Sequence, residues 1–119
     1  MAGSSPTIQQ PAREALAALE RYQLHLRQLA TRWVDAELYH HVSVDIQAVR
    51  RCCHETPALA AGWIALLIAH AELSQALWRA AHPASAPQER QRLLEQVFDA
   101  IAVLQRQCMD LLGPAEDAR

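Results

Sequence analysis

Residues 37–45 read Glu-Leu-Tyr-His-His-Val-Ser-Val-Asp, placing carboxylates, a phenol and two adjacent imidazoles within nine positions. Glu37 and His40 have the Glu-x-x-His spacing of one element of a carboxylate-bridged di-iron bundle, in which both side chains project inward from one helix. Such a centre needs a second Glu-x-x-His and two further glutamates. No other glutamate has a histidine three residues on: Glu72 is followed by Gln75, and the segment with Glu89 and Glu95 has no histidine. Half of the motif is missing, so a di-metal centre is not expected.

A zinc site built from His40, His41, Cys52, Cys53 and His54 fails on geometry. Neighbouring helical residues point about 100° apart, so Cys52, Cys53 and His54 cannot converge on one ion. What remains is surface capture by Glu37, His40 and His41, with His41 one turn from either Glu37 or Asp45. No dedicated metal site and no cofactor is expected. Cys53 and Cys108 fall on apolar seams and read as small buried hydrophobes. Cys52 falls off the seam and is expected to be exposed. His70 lies in the neutral-to-acidic context Ala-His-Ala-Glu-Leu, without the basic neighbours a phosphoryl group needs or the Cys-x-x-Cys-His attachment of a haem. It reads as a hydrogen-bonded core histidine. No Gly-rich phosphate loop, Gly-x-Ser-x-Gly elbow or paired acid constellation occurs, and an enzyme is not expected.

The elements that would position these residues follow from apolar periodicity. Ala12, Ala15, Leu19, Tyr22, Leu26, Leu29 and Trp33 recur in steps of three and four, drawing one seam along a helix that Leu16 widens. A second seam runs through Val42, Ile46, Val49 and Cys53. Trp33 to Val42 is nine residues, about half a turn out of phase. One straight helix over 11–54 would span about 65 Å. The spacing therefore predicts a break within 38–44, with Ser43 as a cap. Thr56-Pro57 opens a third helix reaching about residue 81, with Leu59, Trp63, Leu66, His70, Leu73 and Leu77 on one seam. Ile64, Leu67, Ile68 and Trp78 spread apolar surface around the rest of it. After the turn at 82–87, Ser85 and Gln88 have capping-box spacing. The last helix carries Leu94, Val97, Ile101, Leu104, Cys108 and Leu111, and Gly113-Pro114 stops it.

The fold class is all-α: a single antiparallel bundle of three long helices and one shorter helix over 11–112, with a flexible lead at 1–10 and a frayed tail at 113–119. The chain has 119 residues, 51% of them hydrophobic and 20% charged, enough for one core. Its net charge is −2 and its arginines are scattered, which disfavours nucleic acid. All eleven basic residues are arginine, a bias typical of a GC-rich bacterial genome. The opening residues lack the charge and apolar core of a signal peptide. Three cysteines without a disulfide spacing fit the cytoplasm, and the apolar run 57–71 is short for a membrane span. The expected function is a non-enzymatic interaction module, an adaptor, chaperone or regulator, binding another protein or itself as a homodimer. Its interface would involve Trp63, Ile64, Ile68 and Trp78, with Tyr39 and His41 near the corner. The alternative is a ligand- or metal-binding bundle using Glu37, His40 and His41.

Overall fold

The computed structural model describes residues 6–31, 35–79 and 87–113. Among the described residues four helices follow one another: α1 (Pro6–Thr31), α2 (Ala36–His54), α3 (Ala60–Arg79) and α4 (Pro87–Leu112). They pack into an all-α antiparallel bundle measuring 58 × 23 × 21 Å. α1 and α4 have 26 residues each, and α2, with 19, is the short helix. A 3-10 turn over Pro57–Leu59 leads into α3 and lengthens that arm.

α1 starts at Pro6, five residues ahead of the expected position, and Pro11 lies inside it. The seam residues Ala12, Ala15, Leu19, Tyr22, Leu26 and Leu29 are all fully buried, and Trp33 lies outside the described residues. On α4, Leu94, Val97, Ile101, Leu104 and Cys108 are buried in the same way. The two long helices pack side by side, Arg27 lying 6.0 Å from the centre of the Phe98 ring. α1 also packs along α2, and α3 packs along α4, but α2 and α3 meet at few points. The bundle is thus tight on three sides and loose on the fourth.

The break does not fall within 38–44. α2 runs unbroken through that stretch, and its N-cap is Asp35, whose carboxylate accepts from the Glu37 and Leu38 backbone N–H groups at 3.0 and 3.2 Å. A carboxylate there satisfies otherwise orphaned donors and complements the positive end of the helix dipole, as does Glu37 in the first turn. The apolar seam of α2 begins at Leu38, not Val42, so the change of phase is taken up before the helix starts. Burial of Val42 outweighs the mild helix penalty of its branched side chain.

One further expectation, a capping hydroxyl at Thr56, is corrected. Thr56 takes the extended cap conformation ahead of Pro57, but its hydroxyl makes no capping bond and is buried without a partner among the described residues. The turn is held instead by the Leu59 N–H donating to the Thr56 carbonyl at 2.9 Å. At the other end, Gly113 takes φ +83° and its N–H reaches the Met109 and Asp110 carbonyls, the left-handed stop its type implies. Ser85 lies outside the described residues; α4 begins with Pro87, where a missing N–H costs no helical bond.

Candidate functional site

Two features stand out against this frame: a polar cluster at the α1–α2 and α1–α3 contacts, and an apolar face on α3. The cluster has two parts. Tyr22 of α1 is fully buried, and its hydroxyl lies 2.7 Å from His70 Nδ1 of α3. His70 Nε2 lies 3.5 Å from Ser74 Oγ, one turn along the same helix. Burial pushes the Tyr22 phenol well up, helped by the negative charge of Asp45, and burial pushes the His70 imidazole down. A protonated phenol facing a neutral ring is self-consistent: Tyr22 donates to Nδ1, and Nε2–H is left for Ser74. The pair ties α1 to α3 diagonally across the bundle. Tyr22 occupies a seam position, so its hydroxyl had to find a partner inside the core.

The second part centres on Asp45, a buried carboxylate on the apolar seam of α2. Its Oδ2 is 2.5 Å from His25 Nδ1 on α1, and its Oδ1 is 3.9 Å from Arg21 Nε, one turn earlier on α1. The His25 ring stacks on that of His41, with centroids 5.0 Å apart and planes 17° from parallel. His40 sits to the side, 6.2 Å from His41 and tilted by 53°. From the sequence, Asp45 appears only as a surface neighbour of His41; instead it turns toward α1 and is held by His25. One signal could have found this. A charge on the seam between Val42 and Val49 cannot be buried unpaired, and His25 is the titratable residue beside the seam positions Tyr22 and Leu26 of the facing helix.

Of the residues named for surface metal capture, Glu37, His40 and His41 are exposed. Among the described residues, no three His, Cys, Asp or Glu side chains group so as to hold an ion. The cysteines are free and buried. Cys52 is among them, contrary to expectation, because the small residues Ala17 and Ala18 let α2 close on α1 there. An open groove of about 420 Å³ lies above it, lined by Glu14, Arg21, Arg51 and Glu55 among others. Burial and then those two carboxylates raise the Cys52 thiol, partly offset by Arg51 and Arg21. Burial pushes Cys53 up to about 12 and Cys108 up to about 11, so neither is a thiolate at neutral pH.

The apolar face belongs to α3. Ile64 is 54% exposed, Leu67 43% and Ile68 57%, and Ala60, Ala61, Ala65 and Ala71 around them are exposed too. The opposite face supplies Leu66 and Leu73 to the core, and the 3-10 turn before it supplies Leu59. Gly62 lies so close to α4 that a Cβ there would meet Gln107 and Leu104. Of the other residues expected at the interface, Trp63 packs against the core and Tyr39 is half-buried, burial pushing its phenol up to about 12. His41 stacks on His25, and the side chain of Trp78 lies outside the described residues. Pro57–Ala76 is long and apolar enough to cross a membrane by length and composition, and 28% of that stretch is buried in the bundle.

Fold and site together define, among the described residues, a four-helix bundle with a polar cluster between helices and a bare apolar face on α3. Comparison with family models, with curated proteins and with solved structures finds no match.

Proposed function

We propose that the chain is a non-enzymatic interaction module, an adaptor, chaperone or regulator that offers the outer face of α3 to another protein, a second copy of itself being the first candidate. The observation that carries this reading is the exposure of Ile64, Leu67 and Ile68 along a stretch, 57–71, that contains no Asp, Glu, Lys or Arg. Contiguous exposed apolar surface of this kind marks an interaction site. An uncharged face also favours self-association, because two copies can bring it together about a two-fold axis without placing like charges in contact. The alanines between the large side chains would let the partner helix approach closely. Three buried free thiols fit a reducing compartment such as the cytoplasm of a bacterium.

The same apolar stretch favours a second reading, insertion into a lipid surface. Three ties hold α3 in the bundle and weigh against it: the Tyr22–His70 bond, the close approach at Gly62, and the buried Leu66 and Leu73. Light scattering on size-exclusion chromatography, across a range of protein concentration, tests the proposal. The parent chain should form dimers, or a crosslinked pull-down should retain one partner protein, and Ile64→Glu with Ile68→Glu should abolish either. A monomer that retains no protein but binds lipid vesicles would sink the reading in favour of the second.

A further inference from the structure

The stacked pair His25–His41 has a property that interaction through α3 does not use. Asp45 Oδ2 lies on the Nδ1 side of His25, so the ring nitrogen left for a ligand is Nε2. A buried carboxylate behind a histidine in this way fixes its tautomer and ring orientation, as it does for metal-ligating histidines. The His25 side chain keeps 22% of its surface open, and His41 is exposed. Among the described residues neither ring makes a further hydrogen bond.

We propose that His25 and His41 form a two-histidine site for a borderline divalent cation such as Zn2+ or Ni2+, with Asp45 as the residue that positions His25. The spacing supports it. Two imidazoles bound to one tetrahedral ion at about 2.0–2.1 Å have ring centroids about 5 Å apart. The stacked His41 ring, 5.0 Å away, is therefore within reach of an ion held by His25. The rings lie nearly parallel, so His41, the exposed partner, has to turn about its side-chain bonds for both lone pairs to meet the ion. His40 is excluded, since its ring lies farther away and the adjacent helical position points about 100° elsewhere. Water completes the shell, and Glu37, one turn before His41, is a carboxylate in register to join it in addition to the Asp45 already held by His25. Imidazole suits zinc and nickel better than the hard cations, so Mg2+ is not expected to bind. The ion would clip α1 to α2, so binding should raise thermal stability by mass action.

Isothermal titration of the untagged full-length chain with Zn2+, Ni2+ and Mg2+ tests this directly. The expected result is one Zn2+ or Ni2+ per chain, no response to Mg2+, and a higher Tm in the presence of Zn2+. His41→Ala, at an exposed position with its fold checked by circular dichroism, should weaken binding at least about tenfold. Asp45→Asn should weaken it by about ten- to a hundredfold. His40→Ala should leave it unchanged, as should the Ile64→Glu, Ile68→Glu pair, which separates this site from the α3 face. Binding unaltered in His41→Ala, equal loss in His40→Ala, or no binding at about 1 mM ion would each overturn the proposal.

Discussion

α1 and α3 are both rich in apolar residues, and the bundle treats them differently. α1 confines most of them to one stripe and buries that stripe completely, Leu24 being the exception. α3 carries apolar residues around most of its circumference and buries only one side, leaving Ile64, Leu67 and Ile68 in the open. The cause is position. α1 lies between α2 and α4, which converge on a single stripe, whereas α3 leans on α4 and barely meets α2. Where a helix has more apolar surface than its neighbours cover, the surplus adds nothing to the core, and the proposed interface would account for it.

The largest effect should come from truncating the stripe of α1. Leu26→Ala should cost about 2–5 kcal/mol in urea unfolding, since the cavity cannot collapse between two packed helices. If it costs no more than Ile68→Ala on α3, the contrast between the helices is broken.

Asp45→Ala comes next. It removes the carboxylate that holds His25 and leaves the Arg21 charge without its partner on α2. Breaking a fully buried pair costs about 3–5 kcal/mol. Arg21 is more than half exposed and His25 partly so, which lowers the expectation to about 1–3 kcal/mol. A loss below about 0.5 kcal/mol would mean that the cluster is ornamental to α1–α2 packing.

Tyr22→Phe tests the polar tie between Tyr22 of α1 and His70 of α3. It removes the bond to His70 at nearly constant shape, for an expected loss of about 1–2 kcal/mol. The pH profile sharpens this. His70 is held below its ordinary value of 6.5 by burial, so between the two values the unfolded chain binds more protons than the folded one. Its contribution is fully present above about pH 6.5 and is lost as pH falls toward the folded value. Stability should therefore decline from pH 7 to about pH 5, and His70→Gln should flatten that part of the curve. A decline of equal size in the variant would place the acid sensitivity elsewhere.

The helices could be read from the sequence because burial and periodicity are local facts. A three-four alternation such as Leu19–Tyr22–Leu26–Leu29 states which side of a helix is covered whatever covers it. The corner lies earlier than the seams imply, because a seam that starts at Val42 leaves out the first turn of α2. Leu38, one turn earlier, belongs to the same seam, and Asp35 before it is the better cap. The His25–Asp45 pair was not legible because it depends on the register between two helices, which neither seam specifies. The burial of Cys52 is hidden for a related reason: α1 is lined with alanine there, and small residues let a neighbour bury positions beyond the seam itself. The excess on α3 was visible in composition, but only the absence of a neighbour on one side shows which residues remain bare.

The smallest effect on folding is expected where the proposed function lies. Ile64→Gln with Ile68→Gln removes exposed apolar surface and takes two branched residues out of a helix. In dilute monomer it should change stability by no more than about 0.5 kcal/mol. At high concentration the outcome should differ. Partner binding stabilises the folded form in proportion to the logarithm of ligand concentration, so a self-associating parent gains stability as it is concentrated. The variant, unable to pair, should keep a constant Tm. The gap between the two Tm values should then widen with concentration from near zero. A gap already present at the lowest concentration and independent of dilution would mean that Ile64 and Ile68 serve the monomer's own packing, and α3 would then differ from α1 only in degree.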